Sequence, residues 1–366
     1  MPFDATDITL SLIKIVIVLM ALLNVTPIMV WIERRGSALI QDRPGPNRVG
    51  PLGLFQSFAD ALKFILKEDV IPEQAHKWLY TIAPMFGLIP ALTTISVIPW
   101  GLPFRLPEKH WFGRTFFEGG RDFFPIVADL DVGILVIFAL ASLGVYGIVT
   151  AGWSSANKYS LFGGIRASAQ MISYELALTL AAVSALLAAG SLRLTDVVWQ
   201  QTGYLYIFNT IKLPAWNMFS PSMWLSMIIF IVSSFAETNR LPFDFAEAEA
   251  ELVAGYHTEY SSMKFALFFM SEYMAMATMS ALITTLFLGG WDIPWWNEPA
   301  TWWAFALTAL AFLVKVTALL FVFVWVRWTI PRLKYDILMK IGWKVFLPLA
   351  LLNIVIVAGF IAARWL

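Results

Sequence analysis

Hydrophobic runs of membrane-spanning length recur along this chain, and they leave it few folds to choose from. About twenty apolar residues carry an α-helix across the hydrocarbon core of a bilayer, where every backbone amide must be bonded internally. Hydrophobic residues make up 59% of the 366 and charged residues only 14%, against roughly a quarter charged in a soluble domain. The mean hydropathy is +0.72. The expectation is an all-α, polytopic membrane protein forming a single transmembrane domain over residues 1–366. Eight spans are expected, near 8–32, 77–99, 130–152, 170–190, 221–237, 261–289, 300–328 and 345–363. Pro27, Pro84 and Pro90 fall inside spans and predict kinks. The first run follows Asp4 and Asp7 rather than a basic segment and has no small-residue cleavage site, so it reads as a retained helix.

Basic residues then orient the spans. Sixteen lysines and arginines fall in one set of loops, roughly 33–76, 153–169, 238–260 and 329–344, or at their span edges; eight fall on the opposite side, and Lys315 lies inside a span. The positive-inside rule puts the first set on the cytoplasmic or matrix side and both termini outside. Trp291, Trp295, Trp296, Trp302 and Trp303 suit an interfacial aromatic belt. The 101–121 segment, rich in aromatics and glycine, has no physical account at this level.

Composition also limits the chemistry. The chain has no cysteine, and its three histidines (His76, His110, His257) have no partner at metal-ligand spacing. No metal site is expected, and any iron–sulfur cluster belongs to another chain. A net charge of zero says little about a preferred partner; no nucleic-acid partner is expected.

Residues 237–260, ETNRLPFDFAEAEAELVAGYHTEY, put six carboxylates, an arginine and a histidine between two apolar runs. Ionisable groups at a membrane boundary mark function by default. Acids crowded there titrate as a coupled set. An ordinary solvated acidic loop is the alternative, but the interleaved Leu241, Phe243, Phe245, Leu252 and Val253 argue against full solvation. Asp244, Glu247 and Glu251 would share one face of a helix, with Glu249 pointing elsewhere and Arg240 just before them.

Phe55, Phe58, Leu62, Ile65 and Leu66 recur at helical spacing opposite Gln56, Asp60, Lys63 and Lys67. That stretch is too short to span and predicts an amphipathic inner-side helix, with Asp60 and Lys63 on its polar wall. Within the spans, Glu175, Glu272 and Lys315 each cost roughly 2.5–3.5 kcal/mol near the bilayer centre. A Lys315–Glu272 ion pair would explain two of them; a proton path explains Glu175, Glu237 and Glu272 on three consecutive spans. His257 is left unassigned.

The 237–260 segment, RPGPNRVG at 43–50, RASAQMISYE at 166–175 and PRLKYD at 331–336 together resemble the H-type (ND-one-like) membrane subunit of proton-pumping NADH:quinone oxidoreductase, respiratory complex I. The resemblance covers nearly the whole chain. It implies a subunit, not catalytic alone, at the heel of the membrane arm of a complex in a prokaryotic inner (plasma) membrane or the mitochondrial inner membrane. Peripheral quinone-module subunits beside the terminal iron–sulfur cluster, small membrane subunits and antiporter-like subunits would be its partners. Quinone would be the substrate, with FMN and iron–sulfur clusters in partner chains. By motif, Glu33, Arg34, Arg43, Asp60, Lys63, Arg240, Phe243, Asp244, Glu247, Glu249 and Glu251 look like the quinone chamber and its entry. Glu175, Glu237, Glu272, Lys264 and Lys315 look like a proton path, and Arg166, Arg327, Arg332 and Asp336 like inner-surface support. The rival readings are the equivalent subunit of a membrane-bound hydrogenase or a ferredoxin- or formate-linked complex, a stand-alone transporter, and a plain membrane anchor. The transporter would be expected to show inverted repeats, which are not evident.

Overall fold

A computed structural model describes residues 5–106, 109–111, 114–116, 121–207, 211–246, 249–296 and 299–363. Among these residues, seven helices are long and apolar enough to cross a membrane. They are α1 (Ala5–Ile40), α3 (Lys77–Thr94), α4 (Gly133–Ser154), α5 (Lys158–Ala189), α9 (Ser262–Phe287), α10 (Trp302–Thr329) and the Tyr335–Ala362 rod. The rod is α11 (Tyr335–Ile341), a π turn at Gly342–Phe346 and α12 (Leu347–Ala362). The fifth expected span is a shorter apolar helix, α7 (Trp224–Glu237) with a one-turn extension from Pro221. α2 (Gln56–Leu66), α6 (Leu194–Gln201) and α8 (Glu249–Leu252) are short.

α5 and α9 form the centre, with 56% and 61% of their most apolar stretches buried, against 11% for α1. α1 turns Leu12, Val16, Ile17 and Met20 outward, as a lipid- or partner-facing helix does. Small residues let the central helices close. A Cβ on Gly163 would stand 2.7 Å from the Gly255 Cα and 2.8 Å from the Tyr256 amide, so α5 meets the 255–257 turn backbone to backbone. A buried polar staple, Asn353 to Ser184 at 3.1 Å and to Ser226, ties α12 to α5 and α7.

Several boundaries differ from the sequence expectation. α1 runs on to Ile40, so Glu33, Arg34 and Arg35 ride a helix rather than a loop. α5 starts at Lys158, twelve residues before the expected span, and carries Arg166. Trp291, expected in the interfacial belt, is fully buried and packs edge-on against Trp199 at 5.8 Å. The aromatic 101–121 segment holds two antiparallel ladders, β1 (Phe104–Leu106) with β4 (Arg121–Phe123) and β2 (Lys109–Trp111) with β3 (Arg114–Phe116). Phe104 and Phe123 sit 4.9 and 5.9 Å from Phe305, which anchors the ladder on α10. A third hairpin, β5 (Tyr204–Ile207) with β6 (Ile211–Pro214), follows α6.

The four basic segments converge on one end of the bundle, here called the basic face. Tyr80 bonds to the Glu259 carbonyl at 2.7 Å, the His76 amide to Ser154, and the Leu333 amide to Pro242 at 3.2 Å. The other end is the far face.

Candidate functional site

Arg240 is the hub. Past α7 the Thr238 and Asn239 amides bond back to Ser234 and Ala236, and Asn239 takes φ 50°, so the chain turns inward. Gln170 on α5 holds this turn by donating to the carbonyls of Ala236 at 2.8 Å and Phe243 at 2.7 Å. Arg240 is thereby left only 4% exposed. Its guanidinium stands 3.5 Å from Glu33 on α1, 4.0 Å from Glu272 on α9 and 4.3 Å from the Tyr273 ring centre.

Glu33 gathers the rest. The Tyr273 hydroxyl donates to one of its oxygens at 2.6 Å, and Arg327 on α10 engages the other. Burial alone would lower the pKa of Arg240; Tyr273, Glu33 and Glu272 outweigh it and raise that pKa above the ordinary arginine value. Two arginines over two carboxylates and a phenol make a desolvated set whose members depend on one another. The Arg240 Nε, buried, has no hydrogen-bond acceptor among the described residues.

Beside this cluster lies a cavity of about 90 Å³, lined by Glu237, Glu272, Tyr256, Thr94, Gly147 and Thr278 among others. One water needs roughly 10–15 Å³ on this measure, so the cavity has room for several. One Glu237 carboxylate oxygen is buried without a protein partner among the described residues. Glu237 is close enough to Glu175 for the two to interact electrostatically, and Glu175 accepts a hydrogen bond from Ser142 on α4. The Tyr256 hydroxyl approaches Glu272 at 3.5 Å. Glu272 and Glu237 thus line one cavity, and Glu175 interacts with Glu237 beside it.

The other sequence-derived residues divide. Arg34 pairs with Asp60 at 2.6 Å, fixing α2 against α1, while Lys63 is exposed and lies off that pair. The apolar side of α2, with Phe58, Leu62 and Ile65, faces outward. Arg43 is exposed and bonds to Gln41 at 2.7 Å. Lys264 pairs with Asp69 at 2.8 Å, on the basic face rather than beside the glutamates. Asp336 is exposed in the first turn of α11.

The expected common face of Asp244 and Glu251 does not form. Residues 241–246 are turns, and the helix there covers only Glu249–Leu252. Phe243 and Phe245 are buried and pin the segment, Phe243 against Tyr174 at 5.6 Å. Asp244 meets Arg332 at 3.3 Å, whereas Glu251 meets Arg166 at 2.7 Å, with Arg166 stacked over Tyr335 at 5.0 Å. Glu247 and the Glu249 side chain lie outside the described residues.

Lys315 is placed elsewhere. Its ammonium donates to the carbonyls of Leu288 at 2.8 Å, Gly290 at 3.0 Å and Asp292 at 2.7 Å, capping the far end of α9. Glu272 lies sixteen residues back along that helix, about 24 Å at 1.5 Å per residue. A Lys315–Glu272 pair is therefore not what holds these helices together. Among the described residues, no three His, Asp or Glu side chains gather in a group that could hold a metal ion.

Fold and site together define a polytopic helical membrane protein that carries a buried ion cluster at one end and a carboxylate-lined cavity inside it. The chain belongs to the NADH dehydrogenase family, whose profile matches residues 13–358. It is 47% identical over 352 residues to the H-type subunit of the NADH-quinone oxidoreductase of Salinibacter ruber, covering 93% of each chain. It is 44% identical to the corresponding protein of Koribacter versatilis and 45% to that of Geobacter metallireducens, in both cases over 98% of this chain and 99% of the relative.

Tyr273, Ser142, Tyr256 and Gln170 escaped the sequence reading. Tyr273 and Ser142 sit in ordinary apolar helices, where nothing in periodicity marks them. Gln170 had a signal, an amide among apolar residues, which is costly unless bonded.

Proposed function

We propose that this chain is the H-type membrane subunit of a proton-translocating NADH:quinone oxidoreductase. In this reading it walls much of the quinone-reduction chamber at the basic face, on the cytoplasmic or matrix side. It also connects the chamber to proton translocation through Glu272, Glu237 and Glu175. The observation that carries the reading is the contact of Arg240 with Glu272 at 4.0 Å, because it joins the buried ion cluster to the acid-lined cavity.

The mechanism follows from charge. Reducing a quinone to a quinol consumes two electrons and two protons. The electrons come from iron–sulfur and FMN centres in partner chains. The protons come in part from carboxylates near the 238–251 loop, directly or through water. Removing a proton there changes the net charge beside Arg240 in surroundings of low dielectric, where opposite charges feel one another strongly. Arg240 then redistributes its attraction between Glu33 and Glu272, and Glu272 exchanges protons with the cavity. Glu237 and Glu175 pass the change onward.

The test uses the assembled complex. Glu237→Gln and Glu272→Gln should lower proton translocation per electron while NADH:ferricyanide activity, which bypasses the membrane arm, stays at the parental level. Full quinone reduction with full pumping in both variants overturns the proposal.

A further inference from the structure

At the far face, away from the quinone-linked cluster, α6, the β5–β6 hairpin and the 288–296 loop enclose a second recess of about 320 Å³. Its walls include Trp199, Tyr204, Trp295, Trp296 and Leu102, and its one described acid is Asp292. No lysine or arginine is among the described residues that line it. Lys212 stands 3.5 Å over the Tyr204 ring, so that ring already carries a cation, and Trp199, Trp295 and Trp296 are the other aromatic residues of the wall; Trp199 packs edge-on with Trp291 and Trp296 lies tilted against Trp303 at 5.6 Å. Asp292 is only 7% exposed, and the Trp216 indole donates to one of its oxygens at 2.7 Å. Burial raises the pKa of this carboxyl, partly offset by the Trp216 bond and by the charge of Lys315. The ammonium of Lys315 donates to three backbone carbonyls at the end of α9.

One residue of the surrounding backbone is held in a costly shape. Trp295, a bulky residue, takes φ 62°, outside the usual range for such a side chain. Its indole is fixed by a bond to the Lys212 carbonyl at 3.0 Å. Gly289 takes φ 71°, which glycine adopts without strain, and the Trp216 indole fills the place of its missing Cβ. Strain of this kind persists where surrounding contacts over-determine it, and it concentrates at ligand clamps.

Three tryptophans around a buried carboxylate, with no cation among the described lining residues, make a cage for an organic ammonium ion. The ring faces attract the cation through their quadrupoles and the carboxylate neutralises it. We propose that this recess binds an organic ammonium group at the membrane surface. Two sources carry that group: an ethanolamine phospholipid headgroup, or a free soluble amine such as ethanolamine.

The experiment uses the intact complex in detergent with its bound lipid depleted. It is labelled with a diazirine-bearing phosphatidylethanolamine, or with a phosphatidylglycerol carrying the same diazirine, and labelled peptides are mapped by mass spectrometry. The ethanolamine probe should label peptides containing 199–204 and 291–296 about ten-fold more than the glycerol probe, as expected if the cation contributes about 1.4 kcal/mol. Asp292→Asn, which retains an acceptor for Trp216, and Trp296→Leu should each abolish that preference. Native-gel assembly and an unchanged melting temperature of the complex confirm that the variants are intact. Suppression of labelling by millimolar soluble ethanolamine supports the ammonium site and assigns it to the free amine; resistance assigns it to the lipid. Equal labelling by both probes, or an unchanged preference in both variants, overturns the proposal.

Discussion

Tyr273 donates its hydroxyl to Glu33 at 2.6 Å while offering its ring face to Arg240 at 4.3 Å, so one side chain links the anion and the cation of the buried cluster. The phenol keeps Glu33 and Arg240 at 3.5 Å rather than in a closed bidentate pair, and leaves Arg240 within 4.0 Å of Glu272. An arginine shared between two carboxylates can shift its weight between them when either changes protonation. In the proposed reading, that sharing is the coupling element.

Tyr273→Phe should therefore weaken coupling before it weakens folding. Losing a hydrogen bond to a charged group costs roughly 1.5–3 kcal/mol. The complex should assemble, with quinone reductase activity reduced several-fold and NADH:ferricyanide activity intact. Parental quinone kinetics in this variant would remove Tyr273 from the site.

Arg240→Met should be far more damaging. It leaves Glu33 and Glu272 buried with less compensation, and breaking a buried pair by deleting one partner costs about 3–5 kcal/mol. Blue-native gels should show poor assembly. Arg240→Lys should assemble better yet recover little activity, because an ammonium cannot present the guanidinium plane to both acids and the ring. Full rescue by lysine would show that charge alone matters.

Lys315→Met separates far-face structure from proton transfer. Three partly buried carbonyls lose their donor, and each such loss costs up to roughly 1–3 kcal/mol. The melting temperature of the complex should fall, while proton translocation per electron in the surviving complex stays unchanged. A lowered pumping ratio would return Lys315 to the proton path.

His257 gives a pH prediction with a definite sign. It packs between Tyr256 and Phe265, and burial pushes its pKa down to about 4. The unfolded chain binds this proton near 6.5 and the folded chain only near 4, so between those values the unfolded state holds more protons. The stabilisation is complete above about pH 6.5 and is lost as pH falls toward 4, roughly 3 kcal/mol in all. Thermal unfolding of His257→Phe, followed from pH 7 to about 4.5, should lack this part of the acid sensitivity. Parallel curves for parent and variant would contradict it.

Gly163→Ala tests the backbone contact under the acidic segment. The new methyl would meet the Gly255 Cα at 2.7 Å, and neither side has a flexible side chain to move. Overpacking of this kind costs about 1–3 kcal/mol. Limited proteolysis should cut the 250–260 segment faster in the variant; an unchanged pattern would mean that α5 and the 255–257 turn separate freely.

The apolar runs by themselves determined where most spans lie, because crossing a bilayer imposes a length and a polarity on each one. Charge asymmetry grouped four loops, and the structure joins those loops at one face. α2 was legible for the same reason: its period of 3.6 is a local property. What failed was whatever depends on a partner from elsewhere in the chain. Asp244, Glu247 and Glu251 have helical spacing, yet Asp244 and Glu251 are drawn apart by Arg332 on one side and Arg166 on the other. Lys315 and Glu272 suggested a pair by position, yet one caps the far end of α9 while the other lies near Arg240. Glu33 lies far in sequence from Arg240, Tyr273 and Arg327, and they meet because α1, α9 and α10 pack side by side around the turn after α7. Hydrophobicity acts along the chain and is written in it; the pairing of buried charges is a contest among distant partners, settled only when the helices pack.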